Sequence, residues 1–157
     1  MLLGQFARET CAAVGNDFWN HRLFLLHGEA RYVDVMERTL YNGLLSGVSL
    51  DGKLFFYDNP LESNGQHERK PWFGVACCPA NVARLLASLP GYVYAQRKGA
   101  LYVNLFVRNR AEIAMEGVAK VVVAQETRYP WEGNVRITVE PEKPQAFALQ
   151  RLRLLRA

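Results

Sequence analysis

The chain has 157 residues, half of them hydrophobic and 22% charged, which suffices for one core or for parts of two. Its net charge of +4 is spread along the sequence, and no basic stripe carries the stacking aromatics that nucleic-acid binding requires. No apolar run approaches the roughly 20 residues that span a bilayer, and "MLLGQFARETC" lacks the basic start and apolar middle of a signal peptide.

In chain order, the first half reads as helical. From Glu9 to about Leu26, Val14, Phe18, Leu23 and Leu26 recur at helical spacing, and Gly28 supplies a stop. A second helix is predicted from about Glu29 to Leu45, with Val33, Leu40 and Leu44 as its stripe, Asp34 and Arg38 as an i,i+4 pair, and Gly47 as its end. Glu37 falls on that apolar stripe, where a carboxylate is expensive. Either it reaches solvent at the edge, or it is aimed into a polar cavity.

Asp51-Gly52 between apolar segments is a hairpin signal. The polar stretch from Glu62 to Trp72 reads as a long loop, a kind of segment that is usually functional in a compact domain. A third helix follows Pro79 and stops near Pro90-Gly91. Beyond it, "GYVYAQRKGALYVNLFV", "AKVVVAQETRYPW", "NVRITVEP" and "QAFALQRLRLL" have the spacing of an antiparallel sandwich. The tail "LQRLRLLRA" alternates arginine with leucine like a strand or an amphipathic end. The fold class is therefore α+β, with residues 1–90 helical and 91–157 β-rich.

"GVACCPANVARLL" places Cys77 beside Cys78, and the third cysteine, Cys11, lies far upstream in "ETC". An odd count argues against a secreted disulfide scaffold and for a reducing compartment, taken as the cytoplasm, or for a metal site. On a regular strand neighbouring side chains diverge, so the pair needs an irregular backbone, which Pro79 supplies. Pro79 also suits the first turn of a helix, whose positive end favours thiolate. Glu9 and Cys11, two residues apart at another helix start, complete a set of three sulfurs and one oxygen suited to Zn²⁺. Spacing alone leaves open the alternative that Cys11 is a small core residue and Cys77 and Cys78 are buried thiols.

Of the histidines, His27 ends a helix, where a cation complements the dipole, and His67 sits in the polar loop within reach of a ligand. Tyr57, Asn59 and Trp72 either line a sugar site or pack as core aromatics and their neighbours.

Taken together, "ETCAAVGN", "VMERTLYNGLLSGVSLDGKLFFYDNPLES", "WFGVACCPANVARLLASLPGYVY" and "LYVNLF" closely resemble the β-L-arabinofuranosidases of glycoside hydrolase family 127. The resemblance runs from Glu9 to about Val139 and implies the last helices of an (α/α)6 barrel followed by the start of a β-sandwich. It implies a zinc site of Glu9, Cys11, Cys77 and Cys78, with Cys77 as nucleophile of a retaining double displacement. Glu37 and Tyr57 match residues that contact the arabinofuranose, so the implied partner is an L-arabinofuranose-containing oligosaccharide or glycoconjugate. Two other functions stay open: a structural zinc module, and a carbohydrate-binding β-sandwich with a helical lead.

The family's acid/base glutamate lies upstream of the "ETC" motif, and none of the eight residues before Glu9 is acidic. The chain is therefore expected to be a fragment that exposes apolar surface and tends to be unstable or to homo-oligomerise. Purified alone, it is expected to hydrolyse no aryl β-L-arabinofuranoside; measurable release of the aryl alcohol would refute this.

Overall fold

The structure, a computed structural model, describes residues 8–60, 63–97, 99–115, 117 and 119–151. It divides into two compact units, Met1–Leu89 and Pro90–Ala157. In the first, Arg8–Glu9 (β1) leads directly into Thr10–His27 (α1), followed by Ala30–Thr39 (α2). Gly28 ends α1 as expected: it adopts φ 71°, a left-handed conformation that glycine reaches without strain, and its N–H donates to Phe24 O at 2.7 Å.

The buried face of α1 is not the single apolar stripe expected. Val14 and Phe24 are buried, but Leu26 is 69% exposed while Asp17 and Asn20 occupy core positions. The reason is that α1 packs against both α2 and Cys77–Ser88 (α3), so its neighbours, not one stripe, choose what is covered.

Instead of running unbroken to Leu45, α2 passes into a π-helical turn, Leu40–Leu44, and a 3₁₀ turn, Leu45–Gly47. Asn42-Gly43 are weak helix formers, and Asn59 Nδ2 donates to the Gly43 carbonyl from outside the helix at 3.0 Å. Val33, Leu40 and Leu44 are buried as their spacing predicts. The ion pair near the start of α2 joins Arg31 Nε to Glu29 at 2.8 Å, and the expected Asp34–Arg38 pair is not among those of the described residues. Such exposed pairs contribute little in water, so nothing forces it to form.

Gly47 is required by close approach. A Cβ there would lie 2.9 Å from Asn59 Nδ2 and 3.1 Å from its Oδ1. Asn59 has little room to yield, because its amide also lies 3.4 Å from Thr10 Oγ1. Gly47→Ala is expected to lower stability by about 1–2 kcal/mol through loss of the Asn59 hydrogen bonds. Urea titration checks this, and an unchanged midpoint would contradict it.

The Asp51-Gly52 hairpin forms, closed by Ser49 N–H to Leu54 O at 2.9 Å, with Gly52 at φ 72°. Its arms are not regular strands but a single bridge, Val48 to Phe55. The polar loop is pinned where it is described (residues 61–62 lie outside the described residues). Phe55 and Lys70 exchange backbone hydrogen bonds at 3.0 and 2.9 Å, and Arg69 donates to Ser46 O at 2.7 Å.

In the second unit a short helix, Pro90–Val93 (α4), leads into Tyr94–Arg97 (β3) and Ala100–Val103 (β4). Asn109–Ile113 (β5), Val121–Thr127 (β6) and Val135–Pro141 (β7) form an antiparallel sheet in the order β5-β6-β7. The other sheet, β3-β4 with Ala148–Arg151 (β8), departs from the all-antiparallel expectation, because β8 runs parallel to β4. The tail beyond residue 151 lies outside the described residues. Leu101 from one sheet and Val121 and Val123 from the other share one core, with Tyr94, Ile137 and Val139 packed around it. Period-two burial along β6 explains the pattern: Val121, Val123 and Gln125 face in, and Val122 and Ala124 lie outside that row.

Candidate metal centre

The tripeptide Glu9-Thr10-Cys11 is held from both sides by backbone. β1 pairs antiparallel with Asp58–Asn59 (β2), Glu9 opposite Asp58, and Thr10 N–H donates to Tyr57 O at 3.0 Å. The buried Thr10 hydroxyl donates to Phe56 O at 2.8 Å. These bonds fix the start of α1 against residues 56–59, leaving Glu9 and Cys11 on either side of the anchor.

On the opposite wall, α3 begins at Cys77, two residues earlier than the proline predicts. Pro79 is tolerated there because first-turn N–H groups have no intrahelical acceptor to lose. Both thiols thus lie in the first turn, where consecutive positions diverge by about 100° rather than pointing apart as on a strand. That divergence lets both reach one point. Cys11 Sγ lies 3.0 Å from Cys77 Sγ and 3.6 Å from Cys78 Sγ, and the neighbouring pair is 3.9 Å apart. Glu9 Oε1 lies 3.8 Å from Cys77 Sγ, and ligand atoms of all four residues fall within 4.8 Å of one another.

Does this set fit a metal? All three cysteines are free thiols. Donors about 2.3 Å from a tetrahedral centre lie about 3.8 Å from each other. Two of the three sulfur separations, 3.6 and 3.9 Å, and the 3.8 Å carboxylate distance match that spacing. The 3.0 Å pair needs to open by only about 0.8 Å. A soft, thiolate-rich set with one oxygen suits a zinc-like divalent ion and fits poorly with the hard, all-oxygen shells of magnesium or calcium.

The three sulfurs are not equivalent. Cys78 is fully buried, and desolvation foremost pushes its thiol well up. Burial also raises Cys11. Cys77 is half-buried and lowered, chiefly by the hydrogen bond from Cys11. Tyr57 Oη stands 3.8 Å from Cys77 Sγ, and that hydrogen bond, followed by the charges of Cys77 and Glu9, pushes the phenol up to about 12. Its ring packs against Phe73 at 5.9 Å.

Of the other candidates, Glu37 is buried on α2, outside the ligand cluster. Its charge, after burial, helps raise Tyr41 to about 12. Asn59 braces backbone rather than lining the cluster. Trp72 is 63% exposed. His67 is engaged in the loop, its Nε2 2.7 Å from Asp58 O and its ring stacked on Phe56 at 4.6 Å. His27 stacks on Tyr32 at 5.7 Å. One residue that sequence reasoning passed over is Asn81, whose Nδ2 donates to Cys11 Sγ at 3.2 Å. Its signal was available: it lies four positions after Cys77, one helical turn on the same face.

Both units of the chain have counterparts among known proteins. The sequence model of the β-L-arabinofuranosidase GH127 catalytic domain matches residues 3–91, and that of the GH127 middle domain matches residues 100–155. The chain is 40% identical over 144 residues to a non-reducing end β-L-arabinofuranosidase of Bifidobacterium longum subsp. longum, covering 83% of this chain and 21% of that protein. A solved GH127 β-arabinofuranosidase matches with TM-score 0.84 and 57% identity over 91% of this chain and 22% of its own. A GH127 β-L-arabinofuranosidase from Geobacillus stearothermophilus T6 matches with TM-score 0.85 and 44% identity, over 94% of this chain and 25% of its own. The chain thus spans about a fifth to a quarter of the length of these relatives.

Proposed function

The chain belongs to the GH127 β-L-arabinofuranosidase family, and from that premise we propose that it is a portion of a retaining glycoside hydrolase whose nucleophile is Cys77. Its two units are read as the end of an (α/α)6 barrel, residues 1–90, and the start of a β-sandwich, residues 91–157. The observation that carries the proposal is the convergence of Glu9, Cys11, Cys77 and Cys78, with Cys77 the more accessible member of the vicinal pair.

Those four residues would hold zinc, which when bound keeps sulfur deprotonated at neutral pH and fixes its position. Cys77 Sγ then attacks the anomeric carbon of a β-L-arabinofuranoside. The carbon–sulfur bond forms as the bond to the leaving oxygen breaks, and that oxygen takes a proton from a general acid. Water, deprotonated by the corresponding base, next attacks the same carbon and returns the sulfur. Two inversions give retention. Tyr57, with its hydroxyl 3.8 Å from Cys77 Sγ, is placed to touch a sugar poised for that attack, and Glu37 is the second sugar contact. The substrate is the arabinofuranose of an oligosaccharide or glycoconjugate.

Four protein donors also suffice to close a tetrahedral shell, which is the mark of a structural site. Iodoacetamide separates the two. With metal bound, a nucleophilic Cys77 is modified at least about tenfold faster than Cys11 or Cys78 and is shielded by an arabinose-like ligand. Uniformly slow modification of all three thiols favours the structural site.

A further inference from the structure

Three thiolates and one carboxylate carry four negative charges, so a divalent ion leaves the cluster with an excess of two. Such an excess weakens the hold on the metal and leaves each accessible sulfur electron-rich, unless neutral donors take up part of it. Cys11 Sγ is supplied with one. α3 presents Cys77, Cys78 and Asn81 at its first, second and fifth positions. At about 100° per residue, Asn81 sits within about 60° of either cysteine, on the face they share. All three side chains meet Cys11: Cys77 Sγ at 3.0 Å, Cys78 Sγ at 3.6 Å, and Asn81 Nδ2 at 3.2 Å. The Cys11 and Cys78 thiols beside Cys77 give up their protons on ligation, and the side-chain donor that then remains to it among the described residues, the Tyr57 hydroxyl, stands farther off at 3.8 Å.

We propose that Asn81 is a positioning residue of the metal centre, whose amide N–H to Cys11 Sγ strengthens the metal site and reserves nucleophilic reactivity for Cys77. This rests on the reading that the cluster holds a metal. The amide withdraws electron density from one sulfur, so Cys11 attacks carbon more slowly while staying ligated. With its neighbouring thiols deprotonated as ligands, Cys77 has no side-chain N–H or O–H as close as 3.2 Å among the described residues, and it keeps more of its charge. Chemically similar ligands are thereby given different tasks by one side chain that touches neither metal nor sugar.

The test uses the full chain loaded with Co²⁺, comparing the parent with Asn81→Ala, Asn81→Asp and Asn81→Gln. Asn81→Asp keeps the shape but offers no N–H when ionised, so it remains informative if the alanine variant folds poorly. Asn81→Gln retains a donor. For Asn81→Ala and Asn81→Asp, cobalt affinity measured by chelator competition is expected to fall about 10- to 100-fold. Their cobalt–thiolate charge-transfer band should move to lower energy, and alkylation of Cys11, mapped by mass spectrometry, should rise severalfold relative to Cys77. Asn81→Gln should recover part of each change. If the parent binds cobalt but both loss variants keep its affinity within twofold and its alkylation pattern, the role of Asn81 is overturned and the metal site stands. If the parent binds no cobalt, both are overturned.

Discussion

Stripping the metal from the purified chain with a strong chelator is expected to destabilise the first unit more than any surface substitution. Three thiols that lose their protons on metal binding and one carboxylate have ligand atoms within 4.8 Å of each other, two of the four residues at the start of α1 and two at the start of α3. With the ion they tie two helix ends together; without it, at alkaline pH, they repel. At a free zinc concentration a thousandfold above the dissociation constant, linkage predicts about 4 kcal/mol of stabilisation. For a unit of this size that is a rise in melting temperature of about 10 °C or more. Cys11→Ala removes one ligand and should lose most of the zinc-dependent rise. Calorimetry of parent and variant, with and without zinc, checks this, and equal responses would contradict it.

Asp17→Asn is expected to stabilise the protein, and increasingly so as pH rises. Asp17 is 2% exposed, neither carboxylate oxygen has a hydrogen-bond partner among the described residues, and burial pushes its pKa from 3.8 up to about 7. The unfolded chain therefore gives up the Asp17 proton near pH 4, whereas the folded chain keeps it until about pH 7. Below pH 4 both states hold the proton and there is no penalty. Between pH 4 and 7 the unfolded state binds fewer protons, so stability falls as pH rises, and above pH 7 the loss is complete. A shift of roughly three units at 1.36 kcal/mol each makes that loss on the order of 4 kcal/mol. The amide that replaces the carboxyl in the variant carries no charge to desolvate. Parent and variant should thus unfold at similar urea concentrations near pH 4 and diverge by a few kcal/mol at pH 8. Metal binding also depends on pH but is common to both proteins, so the difference between them reports Asp17. A pH-independent difference would sink the prediction.

Much of the site was legible because its chemistry is local. Gly28 and the spacing of Val33, Leu40 and Leu44 marked the helices, and two cysteines beside a proline marked a helix start with thiols at its positive end. What sequence could not supply was the meeting of segments 66 residues apart, since no periodicity says that Cys11 faces Cys77. Donor chemistry makes that meeting one of two open readings, and the resemblance favours it over buried, unconnected thiols. The misreadings have physical causes too. Leu26 was assigned to a buried stripe, but α1 is covered from two sides and buries Asp17 instead. The π turn at Leu40–Leu44 depends on Asn59 donating from another segment, which local propensity cannot register. The parallel β4–β8 pairing joins segments far apart in the second unit, and alternation reads the same for parallel and antiparallel strands.

Zinc K-edge X-ray absorption on the purified, zinc-replete chain tests the centre most directly. Convergence of Glu9, Cys11, Cys77 and Cys78 predicts one zinc per chain, with three sulfurs at about 2.3 Å and one oxygen at about 2.0 Å. A chain that retains no zinc, or a shell of nitrogen and oxygen alone, would contradict it.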